Sequence, residues 1–303
     1  MEQPLISIIM NCYNGEKFLT RSLKSVIDQK YQNFELIFWD NLSNDKSKEI
    51  FQKFKDKRFK YFVAKKHKAL YDARNDALKI CKGKYISFLD TDDSWLSHKL
   101  SSQISIMEQS SNVGLVYGNY IKYNKNKFLL KKKSVNPKYF RSGKITEYLI
   151  ENYFIGLLTV LIRKDFMKGD LEFFNSKYNL LSDFDYILKF SKKHEIRYVK
   201  DNIAIYHQHD NQLQKKYIEK QADQFTDWFE TNLKTKNLFE KNYNLINIKN
   251  KIKFLNLASK ILKKKRISHV RDIFFFPNTL FKIKLILIFF LPEKIHKKFL
   301  SFT

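Results

Sequence analysis

Two periodicities alternate through the N-terminal third of the chain, and they limit its fold more than any other feature. Short apolar runs rich in Ile, Phe, Tyr and Val, "LISIIM" at 5–10, "FELIFW" at 34–39, "FKYFV" at 59–63 and "YISFL" at 85–89, read as strands covered on both faces. Helical stripes lie between them. Leu19, Leu23, Val26 and Ile27 share a face in residues 16–29, and Ile50, Phe51 and Phe54 do so in 45–55, behind Ser43 or Asp45 as cap. Residues 70–82 give a third helix, which Gly83 is expected to end. Strands and helices in this order predict an α/β fold with a parallel sheet and right-handed crossovers. Such sheets bind ligands outside the carboxyl ends of their strands, where "NCYNG", "DNLSND" and "DTDD" fall.

The last of these loops poses a chemical question. "YISFLDTDDSW" runs a buried strand straight into Asp90, Asp92 and Asp93. Crowded carboxylates repel and are costly to desolvate, so they either share a cation or face water in a turn where one caps the next helix. No Walker-type phosphate loop or Gly-rich dinucleotide fingerprint follows the first strand. A phosphorylated ligand at this edge would need a divalent metal for positive charge, and Asp, a hard oxygen donor, suits Mg²⁺ or Mn²⁺.

Composition narrows the class. At 303 residues and 44% hydrophobic the chain can bury a full core. Its only cysteines, Cys12 and Cys81, exclude a disulfide framework and a four-cysteine zinc site and fit a reducing compartment. "MEQPLISIIM" lacks a basic leader region, which places the expected location in the cytoplasm. The formal charge of +26 raises nucleic acid as a partner. Its placement argues against that: residues 249–303 hold 14 Lys or Arg and 2 Asp or Glu, nearly half of the excess, and the bias toward Lys, Asn, Phe and Ile follows an A/T-rich coding composition. No nucleic acid is expected.

From Ile6 to about Asn211 the chain resembles the family-2 glycosyltransferases of the GT-A fold, inverting enzymes that use nucleotide sugars. "SIIMNCYNGEKFLTRSLKSVIDQKYQNFELIFWDNLSND" is similar to the family's opening strand, helix and second strand. "DARNDALKICKGKYISFLDTDDSWL" resembles its metal-site segment, and "SDFDYILKF" followed by "YHQH" its acceptor-side half. The resemblance implies a GT-A catalytic domain over 1–215 and a basic helical region over 216–303. It implies a donor site at Asn11, Tyr13, Asn14, Asp40, Asn41, Arg74 and Asp92, with Asp92 toward the ribose. A uridine diphosphate sugar is the first choice of donor, although the family usually has a second aspartate where Asn41 stands. Asp93 would hold Mn²⁺ or Mg²⁺ with Asp90 in support, and His209 would approach the diphosphate or metal. Trp95 either lines the sugar or acceptor pocket or packs between strand and helix. Asp183 matches the family's general base, behind Ser182 where a Glu is common; Asp185 is its neighbour and competitor, and an N-cap is the alternative role for Ser182 or Asp183. The acceptor implied is a surface glycan, lipid-linked or of lipopolysaccharide or capsule type. A sugar nucleotidyltransferase, an inactive relative and a basic nucleic-acid-binding protein are the competing readings.

The C-terminal region stands outside the resemblance. Residues 216–266 read as helices, with Phe225, Trp228, Phe229, Leu233 and Leu238 at packing positions. "FFFPNTLFKIKLILIFFLPEKIHKKFL" follows, and its apolar run from Leu280 to Leu291 is shorter than the ~20 residues a bilayer span needs. Lysines flanking apolar residues suit an element lying at the cytoplasmic face of an anionic inner membrane; a helix packed on the catalytic domain is the alternative.

Overall fold

The computed structural model describes residues 3–124, 132–134, 137–209, 217–235, 238–239, 243–263 and 267–291. The chain divides into two compact units, Met1–Ile145 with Phe154–Gln208, and Thr146–Tyr153 with His209–Thr303.

The first unit opens as β1 (Ile6–Cys12), α1 (Glu16–Ile27), β2 (Phe34–Asp40), α2 (Ser47–Gln52), β3 (Phe59–Val63), α3 (Leu70–Leu78) and β4 (Tyr85–Phe88). It continues through β5 (Ser94–Trp95), α4 (Lys99–Gln109), β6 (Val113–Asn124), β7 (Lys132–Ser134), β8 (Leu161–Arg163), α6 (Ser182–Lys193) and β9 (Glu195–Gln208). The short α5 (Thr146–Glu151) belongs to the second unit. The sheet order is β3-β2-β1-β4-β8-β6-β9-β5, with β7 paired to β6. β1, β2, β3 and β4 pair in parallel, as do β6 and β9, whereas β8 and β5 run antiparallel to their neighbours. Most of the paired length is therefore parallel, and helices flank it.

The expected periodicities hold because both faces of β1 and β4 are fully buried. One face packs Ile6, Ile8 and Met10 with Leu36 and Phe38 under Leu19, Leu23 and Val26 of α1. Gly83 does not end α3, which stops at Leu78. It lies five residues on, where a Cβ would run into the backbone of Ser7 and where its N–H donates to Ser7 Oγ at 2.8 Å. The strand order also fixes the site. The chain leaves β1 toward β2 and returns from β3 to β4 on β1's other side, so the loops after β1 and β4 diverge and open a crevice at the carboxyl edge.

The second unit contains α7 (Ile218–Thr235), α8 (Ile246–Lys263), α9 (Ile267–Phe274) and α10 (Thr279–Phe290). Phe225, Trp228, Phe229 and Leu238 are buried in it, but Leu233 is exposed. α10 packs on α8, with Phe281 against Phe254 at 4.8 Å between centroids. Residues 292–300 of the C-terminal run lie outside the described residues.

Candidate active site

The loops after β1 and β2 are knitted together by side chains that serve as backbone partners. Ser43 Oγ accepts from Asn14 N at 3.1 Å, Ser47 Oγ from Gly15 N at 2.9 Å and Asp45 from Glu16 N at 2.9 Å, while Asn14 Oδ1 accepts from Asn44 N. Asn14 and Leu42 take positive φ, +54° and +67°. The first is a conformation Asn tolerates; at Leu42 it is strained and persists because the surrounding bonds hold the loop.

Asp40 and Asn41 are committed within this scaffold. Asp40 is buried and accepts from Ser43 N at 2.8 Å and from the Tyr61 hydroxyl. The Asn41 amide pairs with the Lys68 backbone both ways, donating to its O at 2.8 Å and accepting from its N at 3.1 Å. His67 Nδ1 lies 3.0 Å from Asn41 O and its ring packs on Tyr13, which is 55% exposed. Asn11, by contrast, is buried with neither amide atom hydrogen-bonded, and the indole N–H of its register partner Trp39 has no partner either. An unmet buried polar group costs about 1–3 kcal/mol, which a polar ligand at this edge would offset.

The acidic loop is gripped by α1. Ser22 Oγ has the carbonyls of Thr91 and Asp93 in reach at 2.6 and 2.5 Å, and Arg21 donates to Asp92 O. Asp93 N closes the turn onto Asp90 O at 3.1 Å. None of the three aspartates caps α4, whose N-cap residue is His98 with no side-chain cap bond, so the capping reading fails. One carboxylate oxygen from each of Asp90, Asp92 and Asp93 lies within 4.8 Å of the others. Burial, then the charges of Asp92 and Asp90, hold Asp93 well above the usual carboxylate range, against the His207 N–H and Arg21. A set of hard oxygen donors whose buried member resists its own charge fits Mg²⁺ or Mn²⁺.

α3 ties this loop to Asp183. Arg74, almost fully buried, pairs with Asp90 at 2.5 Å. Burial works against its charge, but Asp90, Tyr71 and Asp183 outweigh burial and raise its pKa. Tyr71 is buried with the Arg74 guanidinium 4.7 Å from its ring centroid, and burial first and the Asp183 charge second push its hydroxyl well above the usual tyrosine range. The Asn75 amide pairs with the Phe174 backbone in both directions, at 2.8 Å each, and Tyr71 N donates to Asn179 Oδ1. These bonds anchor the segment that leads into α6. Ser182 opens α6 without capping it, its hydroxyl donating instead to Asn175 O at 2.9 Å. Asp183 follows in the first turn, where the helix dipole favours a carboxylate. Asp185 is buried and ion-paired to Lys189 at 2.8 Å, which leaves the half-exposed Asp183 as the more accessible of the two.

Trp95 sits in the core, 4% exposed, with its indole N–H donating to Leu158 O at 2.8 Å and Lys99 Nζ 4.0 Å from its ring. Of the two histidines it is His207 that touches the acidic loop: its N–H donates to Asp93 Oδ1 at 2.9 Å and its ring Nε2 lies 2.9 Å from Ser94 Oγ. His209 follows β9 and is not in the carboxylate cluster found among the described residues. Sequence reasoning missed Arg21, Ser22, His67 and Tyr71, and it favoured His209 over His207. Tyr71 was within reach of it, three residues before Arg74 and so on the same helix face; the others gain their partners only through the tertiary fold.

A family model described as glycosyl transferase family 2 matches residues 7–169. The UDP-Glc:alpha-D-GlcNAc-diphosphoundecaprenol beta-1,3-glucosyltransferase WfgD of Escherichia coli is 39% identical over 163 residues, 54% of this chain and 61% of that protein. WfaP, of the same description and organism, is 41% identical over 116 residues, 38% of this chain and 46% of that one. The match thus spans between about half and three fifths of these relatives' length. Among solved structures, S. aureus TarS 1-349 in complex with UDP matches 93% of this chain and 80% of its own with a TM-score of 0.58 at 16% identity. Mannosyltransferase PcManGT from Pyrobaculum calidifontis in complex with GDP-Man and Mn²⁺ matches 99% and 85% with a TM-score of 0.62 at 10% identity. At these identities the two structures bear on the fold, which is GT-A.

Proposed function

Because the chain belongs to family 2 of the glycosyltransferases, we propose that it moves a sugar, with inversion, from a uridine diphosphate sugar to a hydroxyl of a lipid-linked surface glycan. The observation that carries this reading is the buried Arg74, which pairs with Asp90 of the acidic cluster and lies over the Tyr71 ring, with the half-exposed Asp183 near enough for its charge to act on both. The names of WfgD and WfaP support the donor and acceptor class, and the beta linkage they print is what inversion of an alpha-linked donor yields.

Asp183 takes the proton of the acceptor hydroxyl as the acceptor oxygen bonds to the anomeric carbon and the bond from that carbon to the phosphate oxygen breaks. The bonding pair leaves with the nucleoside diphosphate. The Tyr71 hydroxyl, close to Asp183, is a proton donor available to orient the carboxylate, and Arg74, held by Asp90, adds positive charge beside both. The Asn11 amide and the exposed Tyr13 ring beside His67 receive the base end of the donor. Asp90, Asp92 and Asp93 would hold Mn²⁺ or Mg²⁺, which when bound offsets charge on the departing diphosphate.

The test is transfer from a UDP-sugar to a GlcNAc-diphospholipid analogue by purified full chain with Mn²⁺, beside Asp183→Asn. Wild type is expected to form a beta-linked product, and the variant to bind UDP normally but transfer ~10²- to 10⁴-fold more slowly. Normal transfer by Asp183→Asn would remove the base assignment.

A further inference from the structure

Helix α10 is apolar on every side: nine of its twelve residues are Leu, Ile or Phe. Helices of that composition are ordinarily enclosed. Only Leu285 and Ile288 are buried, however, on the side that packs toward α8. The opposite side carries Leu280, Ile283, Ile286 and Phe290, exposed by 61%, 50%, 38% and 71%. At about 100° per residue these four fall within roughly a third of the helix circumference, and Lys282 and Lys284 stand at the two borders of that stripe. The turn into α10 extends it. Phe274 and Phe275 are 67% and 69% exposed, and Lys282 Nζ lies 4.7 Å from the Phe274 ring.

A chain folded for water seldom exposes this many large apolar side chains together. Their occupant must be apolar where the stripe lies and anionic at its borders, since residues 249–303 hold 14 Lys or Arg against 2 Asp or Glu. A second copy would meet the same basic surface across a two-fold axis, like charge against like. Among the described residues no helix is long and apolar enough to cross a membrane, and α10 is only about 18 Å long. An element of this kind lies in the plane of the interface, with lysine stems along the apolar surface and ammonium groups at phosphate level.

We propose that the exposed face of α9 and α10 docks on an anionic phospholipid bilayer, with Phe274 and Phe275 entering the acyl boundary and Lys282 and Lys284 meeting lipid phosphates. Binding of this kind is independent of sugar transfer, so it can fail or hold whatever the fate of the transferase reading.

The experiment is co-sedimentation of full chain with vesicles of phosphatidylcholine alone or mixed equally with phosphatidylglycerol, at low and high salt. The mixed vesicles are expected to bind at least about fivefold more tightly at low salt, with the preference shrinking as salt rises. Phe274→Ser with Phe275→Ser, both at exposed positions, is expected to weaken binding about tenfold while leaving the melting temperature unchanged. Failure of wild type to sediment with the mixed vesicles, equal binding to both compositions, or full binding by the double variant would overturn the proposal. So would light scattering that shows a dimer which the double variant disperses and vesicles do not, because the face would then be a self-association surface.

Discussion

The carboxyl edge of the sheet and the exposed side of α10 are built on opposite terms. At the sheet edge almost every polar side chain is assigned: Asp40 to Ser43 and Tyr61, Asn41 to Lys68, Arg74 to Asp90, Asn75 to Phe174. The exceptions include Asn11, buried and unpaired, the unpaired indole N–H of Trp39, and Asp93, buried beside two like charges. The exposed side of α10 presents apolar area with two lysines at its borders. A site that must place atoms for chemistry needs bonds that fix each group, and the groups left unmet mark where a ligand belongs. A surface that meets a fluid layer needs only area and charge.

This contrast is broken or sharpened most strongly at Asp183. Asp183→Asn should cost ~10²- to 10⁴-fold in transfer with UDP affinity intact, whereas Lys282→Gln on α10 should leave transfer to a water-soluble acceptor unchanged. Next is Asp93→Asn, which should abolish metal-dependent nucleotide binding yet raise the metal-free melting temperature by roughly 2–4 °C, since it removes a charge that burial disfavours. A drop in metal-free stability would show that Asp93 is a structural carboxylate. Tyr71→Phe removes the hydroxyl beside Asp183 and should lower kcat about five- to tenfold with the donor KM unchanged.

The smallest effect concerns Lys99, buried beneath the sheet, with Ser87 Oγ and Gln103 Oε1 each at 2.8 Å. Burial pushes its pKa well below the usual lysine range. Between its folded value and about 10.4 the unfolded chain binds a proton that the folded chain has released, so stability rises with pH across that interval. Below the interval the cost of burying the charge is present in full. Lys99→Met should flatten this slope in denaturant melts taken at stepped pH.

Much of this was legible in the sequence for identifiable reasons. Strands β1, β2 and β4 announce themselves because both faces are buried and their apolar runs are unbroken. The loops at their ends could be placed on one edge because parallel topology allows nothing else. Gly83 misled, since its requirement for a missing Cβ comes from β1, far away in sequence, and not from α3. The same limit hid the pairing of Asn41 with Lys68 and the grip of Ser22 on Thr91, bonds between segments that only the fold brings together. In α10 the apolar run was plain, but which side of it packs depends on Phe254, outside the run.

The most direct test of the nucleotide site is calorimetric titration of the full chain and of Asp93→Asn with UDP, in the presence and absence of Mn²⁺. Saturable binding by wild type that requires Mn²⁺, and its loss in the variant, is the expected result. Equal binding without metal, or no binding by folded wild type with Mn²⁺ present, would contradict a metal-dependent donor site at Asp90, Asp92 and Asp93.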